Sequence, residues 1–309
     1  MSTSLQTIER AEHLERLVEL VVTTVRSPIT KKDYARELRA FFAWYDGAAW
    51  LHVEGFSRAT VIAYRDEMQR AGRGVVSINK ALSAIRSFAS VASDNGFMDD
   101  ATAARVLKVK GLERTTTRLG TWLSLDELKR LVGSIPPTTP NRGLRDRAAL
   151  LLLGACGMRR EEAAALKFGQ IQRRDGRWVL LDVLGKGNKV RTIPLHDAAK
   201  LAIDAWVTAA GITDQDAPLL PTIHNPDRVT TTPATGARLY DACRRYCAAT
   251  GIEFRPHDLR RTFAVLAKRG GADYEEIRQA LGHASITTTE VYLRAPLSLE
   301  KAASDKIEL

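Results

Sequence analysis

An almost unbroken series of helical patterns occupies residues from about 10 to 106 and constrains the fold more than any other feature of the sequence. From Ile29 to Gly47, aromatic and aliphatic residues recur at helical intervals and a glycine ends the pattern. Two more amphipathic segments, Ser57 to Gly72 and Ser77 to Gly96, each begin at a serine that can cap a helix and end at a glycine. These patterns predict an all-helical N-terminal domain.

The helical pattern breaks between Ala104 and Thr121, where threonine and basic residues dominate and apolar periodicity is lost. This composition predicts a linker, although an exposed loop of one larger domain would read the same way. A helix then restarts at Ser124, and Glu127 completes a capping box that marks the start of a second domain. The predicted boundaries are 1–110 for the helical domain, 111–121 for the linker and 122–309 for the second domain.

The second domain contains two runs of β-forming residues, Trp178 to Leu184 and Lys189 to Leu195, within otherwise helical patterns. The glycine-rich segment 185–188 joins them and predicts a hairpin. Glycines on both sides of Lys186 free its side chain to reach a ligand, but glycine and lysine are also ordinary turn and edge residues. The predicted fold class is mainly α with a small antiparallel β-sheet.

The charge of the chain favours a nucleic acid as partner. The formal net charge is +10 and the isoelectric point is near 9.7, and the basic residues are scattered through both halves. Such a distribution gives a broad positive field, which attracts phosphate backbones but also occurs in proteins that are merely basic.

Cysteine usage and hydropathy indicate the cellular compartment of the protein. Three cysteines, an odd number without zinc-ligand spacing, argue against a disulfide framework and against a structural metal site. No apolar run reaches the roughly 20 residues that span a bilayer, and the first residues are too polar for a signal peptide. We therefore expect a cytoplasmic protein that does not interact with membranes.

The helix predicted after Ser77 has a polar side made of small and basic groups. Its members are Asn79, Lys80, Arg86 and Ser87. Groups of this kind contact DNA backbones, so these four residues are candidates for DNA binding. An ordinary solvated helix face explains them equally well.

Two segments of the second domain place basic side chains near the start of a predicted helix. Arg159 falls in the first turn of the helix in MRREEAAAL, where the positive end of the helix dipole disfavours a cation. Such a local conflict often marks a functional site, although Arg159 can also be a surface residue paired with Glu161 and Glu162. In RPHDLRRTFA, His257 and Arg260 lie three residues apart on one helical turn, so both can donate to one phosphate.

Two further candidates lie near the C-terminus. His283 follows Gly282 at the end of the predicted helix DYEEIRQALGH, so its imidazole is expected to project from a helix terminus and not from a core face. Tyr292 lies on a short predicted helix that Thr287 and Glu290 can cap.

Four segments then carry a resemblance to a known family. GMRREEAAAL, GKGNKVRTIPL, HDLRRTFA and LGHASITTTEVY resemble, in order and separation, the signature segments of the tyrosine recombinase or phage integrase family, which includes the Xer-type recombinases. Each segment alone is a weak signal, but four in this order are specific. The resemblance covers the chain from about residue 120 and extends more loosely over the N-terminal part, which is similar to the family's SAM-like core-binding domain.

The resemblance implies a two-domain clamp on double-stranded DNA and an enzyme that cleaves and rejoins strands through a 3′-phosphotyrosine bond. It implies no metal and no other cofactor. Tyr292 resembles the nucleophile and Lys186 the hairpin lysine that protonates the leaving oxygen. The positions that match the family's active-site groups are Arg159, Lys186, His257, Arg260, His283 and Tyr292.

The chain departs from the family pattern without losing an active-site group. Many relatives have a small residue and then Glu after the first arginine, whereas this chain has Arg160 and Glu161 before Glu162. Leu293 and Arg294 follow Tyr292, where a histidine is frequent in the family. Two other functions stay open at this point: a type IB topoisomerase, which uses similar chemistry on a related fold, and a non-catalytic DNA-binding protein. A non-catalytic DNA-binding protein would be expected to have lost one of the six active-site groups.

The C-terminal tail predicts a role in assembly. Pro296 interrupts the preceding helix, after which Leu299, Ala302, Ala303 and Ile307 can form a small apolar stripe. In the resembling family such a tail docks on a neighbouring subunit, which implies a homotetramer in the synaptic complex and a monomer free in solution. The alternative is a tail that folds back onto its own domain.

Overall fold

The computed structural model describes residues 15–47, 56–113, 121–135, 140–185, 188–224, 227–283, 285, 289, 290 and 293. The chain divides into two compact units, Met1–Thr117 and Arg118–Leu309, called here the N-terminal and C-terminal units. The exact limits of the two domains and of the linker stay predictions. No described helix is long and apolar enough to cross a membrane.

The N-terminal unit is helical throughout its described residues. Its helices are α1 (15–24), α2 (Pro28–Gly47), α3 (Arg58–Arg70), α4 (Val75–Asp94) and α5 (Asp100–Leu107). Leu38, Phe41, Ile78 and Leu82 are fully buried in its core. The ring of Phe41 meets that of Tyr64 edge-on at a centroid distance of 5.1 Å, a favoured aromatic geometry.

Helix capping explains where these helices begin. Ser57 caps α3 as predicted, because its hydroxyl accepts the backbone N–H of Thr60. The prediction that Ser77 caps α4 was wrong by one turn. Helix α4 begins at Val75, and the carbonyl of Gly74 accepts the backbone N–H of Ser77. Two valines before Ser77 were compatible with either start.

The C-terminal unit combines helices with two small antiparallel sheets, so the predicted fold class is confirmed. Its helices are α6 (Leu125–Gly133), α7 (Asn141–Gly154), α8 (Arg160–Ala164), α9 (Asp197–Ala210), α10 (Gly236–Thr250), α11 (Pro256–Arg269) and α12 (Tyr274–Leu281). Helix α7 is buried on most faces, as its apolar run predicts, and Trp206 of α9 is fully buried in the same core. Residues of α8 and α11, whose starts carry part of the candidate site, belong to this core.

The first sheet contains β1 (Ile171–Arg174), β2 (Arg177–Leu184) and β3 (Val190–Pro194) in that order. Strands β2 and β3 form the predicted hairpin. A second sheet, of β4 (Pro221–His224) and β5 (Arg228–Pro233), was not predicted. These short strands were not recognised in the sequence because they contain prolines at their ends, and proline is typical of loops as well as of edge strands.

Candidate active site

The start of α11 holds Arg260 and His257. Pro256 occupies the first turn, and the carboxylate of Asp258 accepts the backbone N–H of Arg255 at 2.9 Å, which fixes the helix start. Arg260 is fully buried, and His257 is exposed.

The guanidinium of Arg260 is held by two backbone carbonyls from other elements. Its Nη1 donates to the carbonyl of Gly157 and its Nη2 to that of Leu281, each at 2.5 Å. Gly157 has a φ of +66°, and a Cβ there would lie 2.5 Å from the ring of Phe263. The turn before α8 therefore requires glycine in order to bring its carbonyl to Arg260.

Arg159 is the N-cap residue of α8. Glu162 compensates the predicted conflict between the cation of Arg159 and the positive end of the helix dipole. The carboxylate of Glu162 accepts the backbone N–H of Arg159 at 2.9 Å and its guanidinium at 2.7 Å. The neighbouring Glu161 pairs with Arg160 instead. Arg159 thus has a fixed partner and retains a partly exposed guanidinium.

A second arginine, Arg191 of β3, shares the carboxylate of Glu162. Its Nη1 and Nη2 donate to the two carboxylate oxygens at 3.0 and 2.7 Å. Burial alone would raise the pKa of Glu162, but the hydrogen bonds from Arg191 and then from Arg159 outweigh it and lower that pKa to about 2. Glu162 is therefore an ionised group in a buried position between two cations.

His283 follows α12 and is buried, with 5% of its surface exposed. It projects from the helix terminus as predicted, because Gly282 ends α12 in the left-handed conformation at a φ of +61°. Its Nδ1 lies 2.9 Å from the hydroxyl of Thr289, and its backbone carbonyl accepts a hydrogen bond from Arg278 at 2.8 Å. The ring orientation is therefore fixed.

The hydrogen bonds of Arg260 bring four of the six predicted residues together. Its guanidinium binds the carbonyls of Gly157, which is close to Arg159 in sequence, and of Leu281, which is close to His283, and His257 lies on the same helix as Arg260. Desolvation of the ring, followed by the positive charges of Arg260 and Arg159, lowers the pKa of His283 to about 4. The pKa of His257 is also lowered, first by desolvation of the ring and then by Arg260. Both imidazoles are therefore neutral at pH 7 and lie beside two permanent cations, an arrangement suited to binding an anion.

Lys186 and Tyr292 lie outside the described residues, but a chain neighbour of each is described. A Cβ on Gly185 would lie 3.0 Å from Nη1 of Arg191 and 3.4 Å from Oε1 of Glu162. Leu293 packs on the apolar cluster of Ala264, Ile277 and Leu281. Gly185 and Leu293, the described neighbours in sequence, therefore adjoin elements that carry described candidates.

Sequence reasoning gave Glu162 only a compensating role and missed Arg191. The strand pattern could have indicated Arg191. It lies two residues before the buried Ile193 on β3, and residues two apart on a strand point to the same side of the sheet. A charged residue on the inward side of a strand needs a buried partner.

The four candidate DNA-binding residues of α4 contact their own unit. Asn79 donates to the carbonyl of Leu112 and accepts its backbone N–H, at 2.9 and 2.8 Å. Lys80 pairs with Asp33 at 3.0 Å. Arg86 donates to the carbonyls of Leu82 and Val109, and Ser87 is half-buried. Contacts to DNA by these residues stay predictions.

Over the residues that the structure describes, no group of three or more His, Cys, Asp or Glu side chains could hold a metal ion. Burial raises the pKa of the Cys156 thiol to about 11 and that of Cys243 to about 12. Both thiols are therefore protonated at neutral pH, the form that is a poor nucleophile.

The lowered pKa of His283 predicts a loss of stability in acid. Its pKa is about 4 in the folded protein against an ordinary value of 6.5, so between these values the unfolded chain binds the proton more readily. The free energy of unfolding should therefore decrease as pH falls from 6.5 to 4, by about 3 kcal/mol from this group.

Urea unfolding of the protein and of His283→Gln over this range checks the effect, and the variant should show a flatter dependence of the unfolding free energy on pH. His224→Gln, which changes an exposed histidine, is the control. An unchanged profile in His283→Gln would contradict the assignment.

Comparison with known proteins agrees with this geometry. The model of the phage integrase family matches residues 121–297, and that of the phage integrase N-terminal SAM-like domain matches residues 15–96. The chain is 31% identical to the tyrosine recombinase XerC of Xylella fastidiosa strain M23, over 90% of this chain and 92% of that protein. It is 32% identical to the XerC of Pelobacter propionicus, over 91% of this chain and 89% of that protein.

Solved structures show the same fold. The XerH site-specific recombinase in a post-cleavage complex with its palindromic difH substrate matches with a TM-score of 0.69 at 20% identity, over 87% of this chain and 77% of that one. A lambda integrase dimer bound to a COC′ core site matches with a TM-score of 0.64 at 18% identity, over 91% and 75% of the two chains. The matching family models, the curated relatives and the fold agree, and the chain belongs to the phage integrase family of tyrosine recombinases.

Proposed function

We propose that the protein is a site-specific DNA recombinase that cleaves and rejoins DNA strands through a 3′-phosphotyrosine bond, without ATP or a metal. The observation that carries this proposal is the convergence of Arg159, Arg260, His257 and His283, two arginines and two neutral imidazoles. Backbone carbonyls and a buried carboxylate hold the two arginines before any DNA arrives. Donors fixed in advance stabilise developing charge without reorganisation.

The chemistry follows from the charge that a phosphodiester gains when a nucleophile adds. Arg159 and Arg260 donate to the non-bridging oxygens, and a planar guanidinium fits two of them at once. His283, neutral at pH 7, donates a further hydrogen bond to a non-bridging oxygen. These donors act most strongly in the transition state, where the oxygens carry the most charge.

Proton transfers complete the step. His257 takes the phenol proton as the oxygen of Tyr292 bonds to phosphorus, and its lowered pKa keeps it free to accept at neutral pH. Lys186 gives a proton to the 5′ oxygen as its bond to phosphorus breaks. The phosphotyrosine preserves the energy of the broken bond, so attack by another 5′-hydroxyl reverses the step without ATP.

The partner is double-stranded DNA. A net charge of +10 supports this, because arginines and lysines that neutralise phosphates supply most of the affinity for duplexes. In the N-terminal unit, the proposed contacts to the DNA backbone are Asn79, Lys80, Arg86 and Ser87. The protein works in the cytoplasm.

Covalent capture tests the proposed function. The purified protein is incubated with a pool of nicked duplexes of randomised sequence, in which loss of a short 3′ fragment traps the cleaved strand. We expect a protein–DNA adduct that survives SDS, and sequencing of the trapped DNA should return one preferred site. Adducts with no sequence preference would indicate a topoisomerase, and no adduct would indicate a DNA-binding protein without catalysis.

Assembly depends on the C-terminal tail, which lies outside the described residues. We expect that deletion of residues 297–309 leaves binding to a single site within a few-fold of the intact protein but removes the four-subunit complex, because a tail of this length is too short for a core of its own. Light scattering on DNA and native gels check this. A truncated protein that still forms the tetramer would refute tail exchange, and one that no longer folds would show that the tail packs on its own domain.

A further inference from the structure

We propose that Arg191 is a positioning residue for strand cleavage, which holds Arg159 in place through Glu162 and ties the hairpin of Lys186 to the end of α12 before His283. This inference rests on the proposed function. Arg191 contacts neither DNA nor a reacting atom and acts through the groups that do.

The guanidinium of Arg191 makes contacts in three directions. Nη1 and Nη2 donate to the carboxylate of Glu162 from α8, and Nε donates to the carbonyl of Ala280 in α12 at 3.3 Å. Because Arg191 itself lies on β3, one side chain joins the hairpin, α8 and α12. Each of these elements carries or adjoins a different residue of the proposed active site.

The carboxylate of Glu162 lies between Arg191 and Arg159, so the contacts of Arg191 also restrain the position of Arg159. Glu162 has 4% of its side chain exposed, and each of its carboxylate oxygens accepts one hydrogen bond from Arg159 and one from Arg191. Without Arg191, Glu162 would keep only the contacts from its own helix, and it would be a buried charge with half of its partners lost. Such a carboxylate moves toward water or takes a proton, and either change releases the guanidinium of Arg159.

Two glycines show that the local backbone is built around Arg191. A Cβ on Gly282 would lie 2.9 Å from Cδ of Arg191 and 3.1 Å from its Nε, so the residue before His283 leaves space for this side chain. On the hairpin, a Cβ on Gly185 would lie 3.0 Å from its Nη1. The residues that precede Lys186 and His283 therefore both pack against one guanidinium.

Only arginine fits this position. Lysine would keep the positive charge but cannot present three donors in fixed directions, so it cannot bind both oxygens of Glu162 and the carbonyl of Ala280 together. Arg191→Lys should therefore keep the fold and lose part of the positioning, whereas Arg191→Met removes the charge as well.

The test compares two DNA substrates. Single-turnover formation of the covalent complex is measured on a duplex with an ordinary scissile phosphodiester and on one with a methylphosphonate there, which lacks one charged oxygen and depends less on arginine. Arg191→Met should lower the rate by about 100-fold on the phosphodiester, the cost typical of a misplaced catalytic group. We expect a smaller loss on the methylphosphonate, a similar pattern for Arg159→Ala, and DNA dissociation constants within a few-fold of the unmodified protein.

Arg173→Met is the matched control, because Arg173 is an exposed arginine on β1 of the same sheet. It should cleave at the unmodified rate on both substrates. If Arg191→Met does not fold, Arg191→Lys decides: we expect a moderate loss, again larger on the phosphodiester.

Two results would overturn the inference. One is cleavage by Arg191→Met at the unmodified rate, and the other is an equal loss on both substrates, which is what general destabilisation gives. Failure of the proposed function looks different, since the unmodified protein would then form no adduct on the phosphodiester.

Discussion

Tyr292→Phe should abolish the covalent protein–DNA complex while DNA binding stays within a few-fold of the unmodified protein. The substitution removes the attacking oxygen and keeps the aromatic ring, so every contact other than the nucleophile is preserved. The adduct on a nicked duplex should fall below detection on an SDS gel, because no other group replaces the nucleophile at the phosphorus.

The control for this prediction is Tyr274→Phe, which removes a phenol that is 40% exposed on α12 of the same unit. It should form the adduct at the unmodified rate. Of the other tyrosines, Tyr64 is 5% exposed, and desolvation raises the pKa of Tyr246 to about 12. An adduct that persists in Tyr292→Phe would mean that a different residue attacks.

The second large effect is expected for Lys186→Ala. If Lys186 protonates the leaving 5′ oxygen, its loss should slow cleavage by about 10²- to 10⁴-fold on an ordinary phosphodiester, the range typical of general acids. A 5′-bridging phosphorothiolate should restore most of the rate, because sulfur leaves without a proton. Single-turnover cleavage of the two substrates measures the difference.

Lys189→Ala is the matched control, since Lys189 is an exposed lysine on the same hairpin. It should cleave both substrates at the unmodified rate. Equal losses on the two substrates for Lys186→Ala would remove the lysine from the general-acid role and leave it as a phosphate contact.

The elements that sequence predicted well are those with strong local signals. Ser57 and Ser124 have the hydroxyls that cap α3 and α6, and both caps form. The β2–β3 hairpin has its glycine-rich turn between two β-forming runs. At the start of α8 the predicted conflict between a cation and the helix dipole is compensated by Glu162, which accepts the guanidinium of Arg159 at 2.7 Å, whereas a functional role of Arg159 stays a prediction.

What sequence did not predict depends on contacts between distant segments. Asn79 looked like a surface residue of α4, but it binds the backbone of Leu112, 33 residues away. Arg191 lies 29 residues from Glu162, and no local pattern connects the two. Helical periodicity says which face of an element is apolar, whereas the partner of a polar side chain is decided by how elements pack.

Identification of the residue bound to DNA tests the account most directly. The adduct is trapped on the preferred site, digested with nuclease and trypsin, and examined by mass spectrometry for the peptide that carries a nucleotide. We predict that this is the peptide 279–294, in which Tyr292 is the single tyrosine, joined to a 3′-phosphate. A nucleotide on any other peptide, or on a 5′-phosphate, would contradict the proposed active site.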